Sequence, residues 1–285
     1  MSAELIATGF AGDLRSQLAQ PPGQRPTLYW LGQAGFVIDA GGYRLVIDPY
    51  LSDSLAEKYR GRLYPHQRMM AAPIDTDGLG HVDLVLSTHQ HTDHMDPATL
   101  QPLLAARPKT KLVAPLAAEA EALKRAQVSP DRLILVDAGQ RIAVLPGVFV
   151  TATRAAHETL ERDELGRYRF LGYLIDMGGV RIWHSGDTVP FDGISAEVAA
   201  LKPDIVLLPV NGRSAELLAN GVPGNLALDE AIDLARDVGA QALIAHHFGM
   251  FDFNTADPAV IDARAAEGLR LRLFRASLNT IYHWG

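Results

Sequence analysis

The chain has 285 residues, 48% of them hydrophobic and 21% charged, and a formal net charge of −7. That composition can bury a sizeable core, as an ordinary globular enzyme does, and the negative charge argues against general binding to nucleic acid or to an anionic membrane. Cysteine is absent, which excludes disulfides, thiolate metal ligands and a cysteine nucleophile; any metal site must use His, Asp, Glu and water.

In chain order, the N-terminal stretch shows neither a basic n-region nor a long apolar h-region, so it does not read as a signal peptide. No apolar run approaches the roughly 20 residues of a transmembrane helix, and a cytoplasmic protein is expected. Residues 11–20 read as a short helix closed by Pro21-Pro22-Gly23. Segments 27–31, 36–40 and 43–47 read as strands, with Gly41-Gly42 as a tight hairpin turn between the last two. Residues 50–80 have no clear period, and long irregular loops inside a domain are often functional. Segment 82–87 is apolar and β-branched enough for a buried strand, and Asp96-Pro97 has the form of a helix cap followed by its first turn. Helical patterns follow at 98–106, 116–127, 196–201, 229–238 and 259–267. Further strands are expected at 111–114, 132–136, 148–152, 168–176, 180–184, 205–208, 242–245 and 271–274. Length alone does not decide between one large domain and two small ones; early hairpins followed by strands alternating with helices suggest packed sheets with helices outside. No repeat and no low-complexity linker interrupts the chain.

Between the strand at 82–87 and the helix at Asp96 lies His89-Gln90-His91-Thr92-Asp93-His94, an H-x-H-x-D-H run. Ordinary core or surface construction does not need three imidazoles and a carboxylate this close together. Imidazole nitrogen and carboxylate oxygen are the usual ligands of zinc and other first-row metals. In an extended segment His89 and His91 point the same way and can reach one ion. Where the chain curls into the helix, Asp93 and His94 swing to a neighbouring position, so one loop can serve two ions. Ligand-type residues recur at other strand ends: Asp48 after 43–47, His157 after 148–152, Asp187 after 180–184, and His246 and His247 after 242–245. Sites assembled from loops at one sheet edge are a common enzyme design. Spacing alone does not choose between His246 and His247.

This order of motifs, from residue 28 to residue 247, resembles the metallo-β-lactamase superfamily. Trp30-Leu31-Gly32-Gln33-Ala34-Gly35-Phe36, His184-Ser185-Gly186-Asp187, Asn211-Gly212-Arg213 and Gly224-Asn225 are similar to the branch that includes L-ascorbate-6-phosphate lactonase. The resemblance implies a single α/β domain over residues 1–285, an αββα sandwich with a dinuclear centre at one edge. His89, His91 and His157 would hold one ion; Asp93, His94 and His247 would hold the other; Asp187 would bridge them. His247 aligns with the family's Pro-x-His histidine, leaving His246 behind the ligands or facing substrate. Asp48 would orient the loop of His89 from behind. His157 agrees with the wider superfamily, whereas the lactonase has an acidic residue there and a larger insertion after the first hairpin.

Two ions roughly 3.5–4 Å apart can share a water and lower its pKa. Asp93 and Asp187 are then the catalytic carboxylates, with Asp93 steering a proton; no G-x-S-x-G element offers a serine alternative. All-N/O ligation suits Zn, Mn and Fe alike; the lactonase resemblance tilts toward Mn and the superfamily toward Zn. Arg213 suits an anionic substrate, and Asn211 either donates to an oxyanion or caps a turn. Lys58, Arg60, Arg62, His66 and Arg68 form a basic segment whose simplest reading is a solvated loop. His184 either orients Asp187 or is a core histidine; His66, His81 and His283 read as structural, and Tyr29, Trp30 and Phe36 as core. The expectation is a metal-dependent hydrolase opening a small anionic lactone or ester. Its rival is a phosphodiesterase acting on cyclic or linear nucleotides, and a non-catalytic binding protein is a third class. Partners beyond the substrate are not readable, though the lactonase resemblance hints at a homo-oligomer.

Overall fold

The computed structural model describes residues 3–285. Its strands are β1 (Leu5–Gly9), β2 (Thr27–Gly32), β3 (Gly35–Ala40), β4 (Tyr43–Ile47), β5 (Leu84–Leu86), β6 (Lys111–Pro115), β7 (Leu133–Val136), β8 (Arg141–Leu145), β9 (Val148–Arg154), β10 (Leu171–Met177), β11 (Val180–His184), β12 (Ile205–Pro209), β13 (Ala242–His246), β14 (Arg272–Arg275) and β15 (Thr280–Trp284). Its helices are α1 (Leu14–Leu18), α2 (Ser54–Lys58), α3 (Pro97–Ala105), α4 (Glu119–Ala126), α5 (Ile194–Ala199), α6 (Ala215–Ala219), α7 (Leu228–Asp237) and α8 (Pro258–Ala266).

The first sheet runs β1-β15-β2-β3-β4-β5-β6-β7 and the second β14-β13-β12-β11-β10-β9-β8. Each has an antiparallel part that turns parallel, from β4 onward in the first and from β11 onward in the second. The strands are apolar on both faces, so each sheet is covered twice. Leu28, Trp30, Phe36, Ile38, Leu45 and Ile47 face the second sheet, meeting Val150, Tyr173 and Ile182. The alternate positions Tyr29, Leu31, Val37, Val46 and Val85 pack under Leu14, Leu18, Leu100, Leu103 and Ala122 of α1, α3 and α4. Ile194, Ile232, Ala235 and Ile261 of α5, α7 and α8 join the other cluster. The result is the expected layering of helices, sheet, sheet and helices.

Sequence periodicity located most elements within a residue or two. It missed β1, β8 and β15, most of whose residues are exposed or half-exposed, and the five-residue helices α2 and α6. Gly41 and Gly42 have φ of 58° and 81°, the left-handed pair that a two-residue hairpin requires. Asp96 caps α3 through its side chain, with Pro97 at the first turn, as the sequence suggested.

Parallel pairing sets the location of the candidate site. β4 and β5 run together and end at Ile47 and Leu86; β11 and β13 flank β12 in parallel and end at His184 and His246. β9 is antiparallel to β10, which is antiparallel to β11, so β9 ends at the same edge as β11. Ligand-type residues that lie far apart in sequence therefore meet at one rim.

Candidate metal centre

The loop after β5 curls as its sequence suggested. The amides of His94 and Met95 donate to the His91 carbonyl at 3.1 and 2.8 Å, a single helical turn that sets Asp93 and His94 beside the pair His89 and His91. Three sets of side chains each offer ligand atoms within 4.8 Å of one another: His89, His91 and His157; Asp93, His94 and His247; and His89, His94 and Asp187. The first two are the trios that the family resemblance implied, and the third joins them. Asp187 Oδ1 is 3.2 Å from His247 Nε2 and 3.3 Å from His94 Nε2, while its Oδ2 is 3.8 Å from His157 Nε2.

These groups crowd together without satisfying one another. His89 Nε2, His94 Nε2 and Asp187 Oδ1 are buried and have no aligned hydrogen-bond partner. Orphaned buried polar atoms are costly, and several converging on one point fit a bound cation. The donor set is nitrogen and oxygen throughout, which suits zinc, manganese or iron.

Behind the ligands, Asp48 is fully buried. Its Oδ1 accepts from the Thr88 amide at 2.8 Å; its Oδ2 accepts from Thr88 Oγ1 at 2.6 Å and lies 2.7 Å from His94 Nδ1. It thus holds both the start of the histidine loop and the His94 ring, turning His94 Nε2 to the cavity. His184 accepts from the Gly186 amide on Nδ1 at 3.0 Å and reaches the Ala34 carbonyl with Nε2 at 2.9 Å, so it braces the turn that carries Asp187. Gly186, at φ 62°, leaves no room for a side chain: a Cβ would sit 2.5 Å from the Leu171 carbonyl oxygen.

The pair at the end of β13 divides by geometry. His246 is the last strand residue and packs inward, edge-on to Phe36 at 5.4 Å and tilted against His184 at 5.0 Å. His247 takes φ 64°, which breaks the strand alternation and carries its ring to Asp93 and Asp187.

Asn211 and Arg213, expected from sequence to bind substrate, do not line the cavity above the histidines but a neighbouring one that shares Asn254. Arg213 is spent on a bidentate pair with Glu230 at 2.6 and 2.7 Å and on the Asn225 carbonyl at 3.2 Å. Asn211 donates to Asn254 Oδ1 at 2.8 Å and accepts from Asn225 at 3.1 Å. The Asn-Gly-Arg and Gly-Asn motifs interlock two loops and, through Asn254, brace the cavity wall from outside.

The cavity above the histidines measures about 170 Å³, and its lining includes Lys58, Tyr59, His66, Arg125, Phe251 and Asn254. His66, read from sequence as structural, stacks on Tyr59 at 4.3 Å in this wall. The rest of the basic segment divides. Arg68 turns inward to the carbonyls of Tyr50, Ser52 and Met70, whereas Lys58 forms no ion pair among the described residues and lies over the Tyr59 ring. Sequence reasoning also missed Phe170, which packs 5.0–5.6 Å from the rings of His89, His91 and His157, and Gln33, whose amide reaches Asp93. Phe170 sits in a segment assigned to a strand and carried no distinguishing signal. Gln33 lay in plain view within the Trp30–Phe36 motif.

Burial strips the first trio of protons: the His89 imidazole lies well below its usual range, His91 is lowered, and His157 falls to about 4. His94 goes the other way. Burial opposes its charge, but Asp187, Asp48 and Asp93 surround it and raise it well above the usual histidine value. Asp187, pushed up by burial, is held well below the carboxylate range by His247 and His94. Without metal, His94 therefore contributes stability that is complete below its unfolded pKa, about 6.5, and fades as the pH rises through the folded value. Asp187 contributes above about pH 4 and fades as the pH falls through its own depressed value. Metal binding at pH 7 is expected to expel about one proton, from His94, because a ligating imidazole must be neutral. Calorimetric titration in buffers of differing ionisation enthalpy reads that number; zero protons would contradict a charged His94.

Comparison with known proteins bears on the family and the fold. The family model described as Beta-lactamase superfamily domain matches residues 43–248. A UPF0173 metal-dependent hydrolase from Polynucleobacter asymbioticus is 31% identical over 224 residues, 74% of this chain and 73% of that protein. Among solved structures, Igni18, a metallo hydrolase from Ignicoccus hospitalis, covers 90% of this chain and 97% of its own at TM-score 0.64 and 19% identity. An isothiocyanate hydrolase from Delia radicum gut bacteria covers 87% and 95% at TM-score 0.69 and 20% identity. With its fold, its clustered histidines and these relatives in agreement, the chain belongs to the metallo-β-lactamase superfamily and, within it, to the UPF0173 metal-dependent hydrolases.

Proposed function

We propose that this hydrolase opens a small anionic lactone or ester using two divalent ions, one held by His89, His91 and His157, the other by Asp93, His94 and His247, with Asp187 between them. The observation that carries this reading is the convergence of two ligand trios on one buried carboxylate at the floor of a small cavity. When bound, the ions supply Lewis acidity toward the substrate oxygen and lower the pKa of water. The protein's own residues do the rest. Asp93 Oδ1, the oxygen that Gln33 leaves free, is the atom assigned to steer a proton from the attacking water. Phe170 packs its ring against the three imidazoles of the first trio, and Lys58 in the cavity wall has no ion-pair partner among the described residues. A cavity of this size suits a small molecule better than a polymer.

The test is a side-by-side rate assay of Mn- and Zn-reconstituted protein on a sugar-phosphate lactone, a phosphodiester and an isothiocyanate. A variant combining His89→Ala with Asp187→Ala serves as blank. Lactone opening that vanishes in the blank supports the proposal; cleavage of only the diester or only the isothiocyanate overturns the substrate class. On the accepted substrate, Lys58→Ala is expected to raise KM roughly tenfold with little change in kcat, the pattern of lost uniform binding. An unchanged KM would remove Lys58 from substrate recognition.

A further inference from the structure

Gln33 occupies a position that simple packing does not require. It follows Gly32 in the tight connection between β2 and β3, takes φ 49° and is 3% exposed. Its backbone is fixed from two sides: its carbonyl accepts from the Trp30 indole at 3.0 Å and from the His247 amide at 3.0 Å. Its side chain then points at the second trio. Nε2 donates to Asp93 Oδ2 at 2.9 Å and lies 3.2 Å from His247 Nε2. One residue thus touches the backbone of one member of that trio and the side chains of two, and none of the first trio.

We propose that Gln33 is a positioning residue for the second metal site, holding the Asp93 carboxylate toward His94 and His247. This rests on the two-ion reading above. Asp93 is the only member of its trio on a partly exposed turn, with 17% of its side chain accessible. A carboxylate there is free to rotate toward water unless a donor holds it. A carboxylate oxygen has two lone pairs, so Oδ2 can accept from Gln33 and still ligate a cation. Groups that orient a ligand from behind typically matter 10- to 100-fold in metal affinity.

The experiment uses Gln33→Met, which keeps an unbranched side chain of similar length but has no N–H. It is placed in two backgrounds, His157→Ala to disable the first trio and His247→Ala to disable the second. Zn²⁺ binding to chelator-treated protein is measured by calorimetry, and circular dichroism checks folding. In the His157→Ala background Gln33→Met is expected to weaken Zn²⁺ by about 10- to 100-fold. In the His247→Ala background it is expected to change affinity by less than about twofold, as independent sites do. Equal losses in both backgrounds, or none in the first, would overturn the proposal. Wild-type protein that binds only one equivalent of Zn²⁺ would overturn the two-ion reading itself, and this inference with it.

Discussion

Replacing Asp187 by alanine is expected to lower kcat/KM by about a thousandfold or more on whichever substrate the enzyme accepts. Among the described residues Asp187 is the carboxylate within 4 Å of imidazoles from both trios, touching His94 and His247 with one oxygen and His157 with the other. On the two-ion proposal, removing it should loosen both ions together. Metal-ion stabilisation of a transition state is worth several kcal/mol, and each 1.4 kcal/mol is about tenfold in rate. Asp187→Asn separates charge from shape: it fills the same volume but brings no negative charge, so it should fall nearly as far as alanine. Steady-state rates and bound-metal stoichiometry on the same preparations provide the check. An alanine variant retaining more than about a tenth of wild-type activity with two ions bound would remove Asp187 from its bridging role.

The second large effect is expected at Asp48, which touches no candidate ion. Asp48→Ala leaves the Thr88 amide without its acceptor and strips the charged His94 ring of a buried counterion 2.7 Å away. Breaking a buried charge pair from one side typically costs about 3–5 kcal/mol. The chelator-treated variant should therefore lose several kcal/mol in denaturant titration, and metal affinity should fall by about 10- to 100-fold. Asp48→Asn is the informative companion. Asparagine tolerates the left-handed backbone found here, φ 44°, and can still accept from Thr88, so it should recover part of the stability but little of the metal affinity. If both variants bound metal as tightly as wild type, the His94 ring would be held by something other than Asp48.

These residues differ in how visible they were before folding. His89 to His94 stood out because ligand density in a short window is a local property. His157, Asp187 and His247 could be found only as carboxylates or imidazoles just past apolar strands, and family resemblance was needed to pair them. The choice of His247 over His246 turns on one left-handed backbone angle, which no periodicity reveals. Arg213 could not be placed from sequence because a cation in a motif reads the same whether it is free or paired; its partner Glu230 lies 17 residues away on α7. Gln33 and Phe170 act purely through proximity, one through an amide and one through a ring, and neither residue type signals a site. In the fold, the same rule holds. Strands with continuous apolar runs were legible, whereas β1 and β15 draw their structure from distant pairing, and β8 from its hairpin with β9, rather than from their own pattern.

β15 shows where that matters. Trp284 pairs with Leu5, and His283 pairs with Thr27, so β15 is wedged between β1 and β2. As the polypeptide leaves the ribosome, β2 is made long before β15, is buried along its whole length in the folded protein, and has no neighbour on that side until residues 280–284 appear. Such an open apolar edge is a template for pairing with other chains. The elements from β3 to β14 must all be made while that edge waits, and for that interval it is open to other chains. Pairing with β15 ends the exposure by closing the edge from within.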